Sequence, residues 1–286
     1  MSRSRTWLRR LPLWAALAAL AVWSVFPFWW AATYALKRPA NLYDGTVLPI
    51  LQFLPTGEHW RAEWDALLAR DGLGQAMLTG VEVGLGVVAV SLALGLLAAV
   101  GLLRLGRTDR RLALAALGLL VVPRLLLPSA VVAPFFLLGR ATGLHDTMPW
   151  LVAMQSTLAL PFAAVILQQA AGEIPHDLLE AAQLDGASWP RIALQVMLPL
   201  LAPALVASGV VAFATSWNEF LYATVNHAQR VLTPPVAIML LEDRDGIPFA
   251  HVGSHLTMVI LPPVLLTLFA QRYIVRGLSL GAVHGR

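Results

Sequence analysis

Strongly apolar runs with few or no charges recur six times along the 286 residues, separated by short stretches where arginine, proline, glycine and the acids collect. They cover about Leu11 to Thr33, Met77 to Leu103, Leu112 to Leu138, Trp150 to Ala171, Leu200 to Tyr222 and Val252 to Ala270. At about 1.5 Å of rise per residue, each is long enough to cross a hydrocarbon core of about 30 Å. The pattern predicts an all-α, polytopic membrane protein with six transmembrane helices. The first run follows Arg3, Arg5, Arg9 and Arg10 and ends in Trp29 and Trp30, whose rings suit the headgroup level. It is too long for the apolar part of a typical signal peptide and lacks a clear small-x-small site at its end, so it reads as a retained anchor.

The arginines set the orientation. A short basic loop, Arg104, Arg107, Arg110 and Arg111, lies between spans two and three, and Arg272, Arg276 and Arg286 follow span six. Both signals keep the N- and C-termini in the cytoplasm. The expected organisation is a basic N-terminus (1–10), a six-span transmembrane domain (11–271) and a C-terminal tail (272–286), with outside segments at 34–76 and 223–251. The inside loop 172–199 breaks the charge rule, holding Glu173, Asp177, Glu180 and Asp185 against Arg191 alone.

Composition agrees with the pattern and narrows the chemistry. The chain is 58% hydrophobic and 13% charged, with a mean hydropathy of +0.70, which excludes an ordinary soluble protein. Its net charge of +4 comes from arginines placed at span ends, so no nucleic-acid partner is implied. The absence of cysteine closes disulfide, thiolate-metal and cysteine-nucleophile chemistry. The one lysine, Lys37, sits in no glycine-rich Gly-Lys-Ser/Thr turn, so the chain has no phosphate-cradling loop of that type.

The acidic loop reads IPHDLLEAAQLDGASWPRIALQVMLP. Pro175 suits a first helical position, Gly186 a left-handed helix end and Ser188 the cap of a second helix, predicting a helix–turn–helix. On the first helix Leu178, Ala181, Ala182 and Asp185 fall at i, i+3, i+4 and i+7, giving one face with two alanines flanked by acids. Small side chains let a partner backbone approach, and the acids can pair with its basic groups.

Glu180-Ala181-Ala182, three residues, Gly186, nine residues and Val196-Met197-Leu198-Pro199 resemble the EAA loop of the transmembrane subunits of binding-protein-dependent ABC importers, with Val196 where isoleucine is usual. Trp217-Asn218-Glu219-Phe220, Leu232-Thr233-Pro234-Pro235-Val236, the segment from Pro134 to Leu151, and the ending from Gln271 to Gly285 are similar to the carbohydrate-uptake branch, specifically to the second permease subunit of the maltose transporter. The resemblance implies a permease without enzymatic activity in the bacterial cytoplasmic membrane, with a cytoplasmic coupling helix between spans four and five. Its implied partners are a second permease, two ATPase subunits, an extracytoplasmic solute-binding protein, membrane lipid and a sugar or polyol. No cofactor is expected on this chain, and ATP and Mg²⁺ belong to the partner ATPase. It assigns ATPase docking to Glu180, Ala181, Ala182, Leu184, Asp185, Gly186 and Pro199, and a tail contact with the ATPases to Arg276, Gly277 and Gly281.

Candidates for the translocation path come from polar groups within the spans: Arg124, between Pro123 and Pro128, together with Gln155, Asn218 and Glu219. A charge inside a span costs some kcal/mol unless it faces a cavity or a partner. Glu82 and Glu219 are placed towards the outer span ends, where exposure lowers that cost. The alternatives are a permease for a non-sugar solute, an ion-gradient-driven secondary transporter, and a membrane metalloprotease. His251 and His255 are four apart but enclose Val252-Gly253-Ser254, without the glutamate that H-E-x-x-H requires. The acids Glu242, Asp243 and Asp245 read as a solvated loop face.

The orientation has a direct test in a cysteine-free chain. Single cysteines replacing Ser2, Thr108 or Ala187 should resist an impermeant thiol reagent in intact cells, whereas those replacing Thr56 or Ala228 should react; outside labelling of Ala187→Cys would contradict the topology.

Overall fold

A computed structural model of the chain describes residues 4–41, 44–69, 72–227, 230–240 and 249–279. The helices are α1 (Ser4–Tyr34), α2 (Glu58–Ala69), α3 (Leu73–Thr108), α4 (Arg110–Leu125), α5 (Pro128–Thr142), α6 (Met148–Gly172), α7 (His176–Leu184), α8 (Trp189–Ile192), α9 (Leu198–Leu200), α10 (Ala202–Trp217), α11 (Leu221–Asn226), α12 (Pro234–Met239) and α13 (Phe249–Ser279), with a π-helical turn at Ala193–Met197. Four of them carry stretches long and apolar enough to cross a bilayer: Pro12–Tyr34, Leu73–Gly106, Met148–Gly172 and Val252–Gln271. Two bent pairs, 110–142 and 189–217, bring the number to six if each pair is one span.

Those pairs fall on the runs read as spans three and five, each of which is two helices at an angle rather than one. Span three breaks between α4 and α5 by 90°. Leu126 and Leu127 are extended there because Pro128 disfavours helical backbone in the residue before it and starts α5 without needing an N–H. The other pair bends by 81° at Leu201, between Pro199 and Pro203. Neither proline can donate to the carbonyl four residues back, so the helical ladder is interrupted on both sides of the bend.

The chain divides into two compact units, residues 1–74 with 238–261 and residues 75–237 with 262–286. In the first, the start of α13 lies against the end of α1. A Cβ on Gly253 would sit 2.7 Å from the Ala31 carbonyl, so only glycine permits the approach. His255, on α13, places Nδ1 3.6 Å from Glu63 Oε2 on α2, with both side chains buried. His255 is thus an internal partner of Glu63, while the acids at 242, 243 and 245 lie outside the described residues. His59 places Nε2 3.2 Å from the Lys37 carbonyl. The Lys37 ammonium is covered, has no hydrogen-bond partner among the described residues, and stands 4.4 Å from the centroid of the Tyr34 ring.

The second unit is built on α3, α6 and α10. Lipid chains are as apolar as leucine, so helices in a bilayer associate through close contact rather than expulsion from water, and small residues make that contact possible. On α3 a Cβ at Gly84 would come within 2.8 Å of the Phe213 ring, and one at Gly86 within 2.8 Å of Val152. One buried cluster gathers Val83 and Val87, Leu151, Met154 and Leu158, Ala212, and Tyr222. A second gathers Ala99, Leu103, Leu167 and Ala171 with Leu179, Ile192 and Met197. The turn before α6 is tied to the segment after α11. Asp146, at φ +60°, accepts from the backbone N–H groups of Arg230 at 3.0 Å and Val231 at 3.1 Å, and its own N–H donates to Asn226 Oδ1 at 3.2 Å.

Burial of the Lys37 ammonium lowers its pKa from the ordinary 10.5, a shift opposed by the Asp44 carboxylate. The folded pKa lies below the unfolded one, so between them the unfolded chain binds more protons and stability rises with pH. Lys37→Met should therefore raise the thermal midpoint of the purified chain at pH 7, and the gain should shrink as the pH approaches 10.5. A lower midpoint for the variant at pH 7 would contradict this account.

Candidate coupling surface and translocation path

The acidic loop folds as two short helices separated by a left-handed residue. Pro175 occupies the cap position rather than the first helical position, and α7 begins at His176. Gly186 adopts φ +80° after the helix end at Leu184, as the sequence predicts. Nothing lies within 4 Å of where its Cβ would be, so the demand for glycine is conformational and not steric. Ser188 caps α8 by position alone, its hydroxyl making no capping hydrogen bond.

The face of α7 differs from the expected one by a rotation. Leu179 is fully buried in the second cluster and Ala182 is partly buried against it. These two hold the helix to the body of the unit. Leu178, Ala181, Glu180 and Asp185 are exposed, and Leu184 is 89% exposed. Ala181 and Ala182 thus point to different surroundings. Pro199 lies in the short α9, before the bend at Leu201.

Within the span region, polar side chains converge where α10 ends. The Ser216 hydroxyl donates to Gln155 Oε1 at 2.5 Å, and Gln155 Nε2 donates to Glu219 Oε2 at 3.4 Å. Glu219 also accepts from the backbone N–H of Tyr222 at 2.9 Å and of Ala223 at 3.0 Å. Its carboxylate therefore caps α11, whose first N–H groups have no partner within the helix. Glu219 is half-buried and fully engaged, so hydrogen bonds rather than solvent exposure offset its cost. Asn218 is exposed and donates from Nδ2 to the Ala214 carbonyl at 2.9 Å.

Arg124 projects from the last turn of α4 at the bend and is exposed. Its guanidinium lies 4.9 Å from the centroid of the Phe162 ring, and Tyr222 is within electrostatic range of both Arg124 and Glu219. No carboxylate among the described residues pairs with Arg124. Four candidate path residues thus fall into three settings: Gln155 and Glu219 are bonded to each other, Arg124 rests on an aromatic ring, and Asn218 caps the end of α10. Arg276 and Gly277 continue α13 without a break at the expected tail boundary, and Gly281 lies outside the described residues.

Sequence reasoning missed Leu179 as the anchor of α7, and Phe162, Ser216 and Tyr222 as partners of the polar groups. The Glu219 spacing offered one signal, since an acid three residues before 222 can cap a helix that starts between them. The ring beneath Arg124 comes from a distant helix and has no local signal.

Residues 91–280 match the family described as the inner membrane component of binding-protein-dependent transport systems. The trehalose transport system permease protein SugB of Mycobacterium tuberculosis is 32% identical over 282 residues, covering 97% of this chain and 99% of that one. The trehalose/maltose transport system permease protein MalG of Thermococcus litoralis is 33% identical over 178 residues, 59% of this chain and 63% of that one. A solved bacterial ABC transporter that imports the acidic polysaccharide alginate contains a chain with the same fold, at a TM-score of 0.69 and 14% identity, covering 95% of this chain and 99% of that one. Broken apolar spans, the family match over residues 91–280 and likeness to a trehalose permease over nearly the whole chain together place the chain among the membrane-spanning permease components of binding-protein-dependent ABC importers, in their carbohydrate-uptake branch.

Proposed function

We propose that this chain forms half of the translocation pathway of an ATP-driven importer for a sugar or polyol in the bacterial inner membrane. A second permease chain completes the pathway, a solute-binding protein delivers the sugar from outside, and two ATPase subunits bind ATP and Mg²⁺ and dock on the cytoplasmic side. The observation that carries the reading is α7: a nine-residue helix fixed to the body by Leu179 and Ala182 while Leu178, Ala181 and Leu184 stay exposed beside Glu180 and Asp185. An exposed leucine between acids, outside the apolar spans, suits docking into a cleft with a greasy floor and basic walls.

Movement of that cleft on ATP binding would push α7, and the cluster around Leu179 would pass the displacement to α3, α6 and α10. The polar groups near the α4–α5 bend and the end of α10 suit a pathway for hydroxyl-rich solutes. Gln155 and Glu219 shape it by fixing α11, while Arg124 and Asn218 remain exposed to face a passing sugar.

Gly186→Pro and Leu184→Asp should leave the chain in the membrane and assembled with its partners, yet abolish the response of ATPase activity to loaded binding protein. Proline cannot adopt φ +80°, and aspartate replaces the most exposed apolar group of α7 with a charge. An unchanged response in both variants would remove the coupling role. Arg124→Leu should assemble and transport roughly tenfold more slowly, equivalent to about 1.4 kcal/mol at the transport barrier. Arg124→Lys should recover part of the rate, because it keeps the charge without the planar fork. Wild-type transport by Arg124→Leu would eliminate the path role.

A further inference from the structure

Two open clefts flank α3 near its C-terminal end, and they meet at one cation. The larger, of about 730 Å³, runs between α3 and α4 and is lined by apolar groups including Leu102, Leu119 and Leu120. The smaller, of about 390 Å³, lies between α3 and the segment after α7, with Leu97 and Leu194 on its walls. Gly101 and Arg104 line both. No heavy atom stands within 4 Å of a Cβ placed on Gly101, so the ridge between the clefts is low there. One turn further along, the Arg104 guanidinium sits 5.0 Å from the centroid of the Trp189 ring, which holds it at the mouth of the smaller cleft. The nearby acid in sequence, Asp109, caps α4 through the N–H groups of Arg111 and Leu112, and no carboxylate among the described residues forms an ion pair with Arg104.

We propose that this is a binding site for a single anionic diacyl glycerophospholipid. Its phosphate accepts from Arg104, and its two acyl chains occupy the two clefts on either side of Gly101. A guanidinium presents a planar fork of donors suited to phosphate oxygens, and an indole beside it suits the headgroup level. The walls are mostly apolar and match hydrocarbon. Basic groups between spans at the cytoplasmic face are also where negative lipid headgroups concentrate. The site depends on the chain spanning a membrane and is independent of which solute the importer carries. Bound lipid would brace α3 and α4 against the segment that follows α7.

The test is native mass spectrometry of the complete transporter, delipidated and titrated with dioleoyl phosphatidylglycerol or dioleoyl phosphatidylcholine. The wild type should retain phosphatidylglycerol at least tenfold more strongly than phosphatidylcholine. Arg104→Gln should bring that preference to within twofold of unity, and Arg104→Lys should keep most of it. Gly101→Phe should weaken retention of both lipids by blocking the ridge, while Arg140→Gln, on α5, should change neither. Equal retention of the two lipids by the wild type, or an undiminished preference in Arg104→Gln, would overturn the proposal. So would loss of the second permease from a Gly101→Phe complex with phosphatidylglycerol retention intact, since the clefts would then be a protein interface. None of these readouts requires transport, so failure here is distinguishable from failure of the importer reading.

Discussion

Within a bilayer a backbone N–H or C=O group that finds no partner costs several kcal/mol, and water is not available to supply one. That constraint bears on the places where the spans of this chain depart from a continuous helix. At the end of α10 the ladder stops at Trp217, and the Glu219 carboxylate takes up the N–H groups of Tyr222 and Ala223 that begin α11. Gln155 and Ser216 then engage the remaining polar capacity. Outside the spans, the Asp146 carboxylate takes up the N–H groups of Arg230 and Val231 and ties two turns together. At the α4–α5 and α9–α10 bends the proline residues remove donors from the accounting altogether. Glu219, supported by Gln155, is therefore first of all a means by which span five can end in a break.

Breaks in turn create the features from which function can be argued. A straight span three would carry Arg124 along a helix flank; the 90° bend puts it at a corner, over the Phe162 ring. A straight span five would run into the acidic loop without interruption. The bend at Leu201 instead lets the segment from Trp189 to Leu200 lie across the end of the unit, where Ile192 and Met197 join Leu179 in one cluster. Close approach of α3 to α6 and α10, made possible by Gly84 and Gly86, gives these bent elements a common support.

The apolar runs made the type of the elements legible, because a hydrocarbon solvent imposes length and composition directly, and four of the six runs are continuous helices long enough to cross a bilayer. Gly186 was legible for a similar reason, as its left-handed φ is a local demand. The bends were signalled by Pro123, Pro128, Pro199 and Pro203, but proline is compatible with both a kinked and a broken span, so their size was not. The face of α7 was misread because Ala181 and Ala182 are adjacent in sequence and chemically identical. Only tertiary packing separates the one that rests on the core from the one that does not. The partners of Glu219 were not legible, since Gln155 is 64 residues away and contributes no local pattern.

The seat of Leu179 has a mechanical meaning. The residues around it come from α3, from α6 and from the segment leading into α10, and packed interiors have low compressibility. A load on α7 is therefore shared among several rods at once and has no single soft hinge on which to dissipate. Under the proposed coupling role such a joint would act as a clutch plate rather than a lever, passing on the torque it receives for as long as Leu179 stays in its socket.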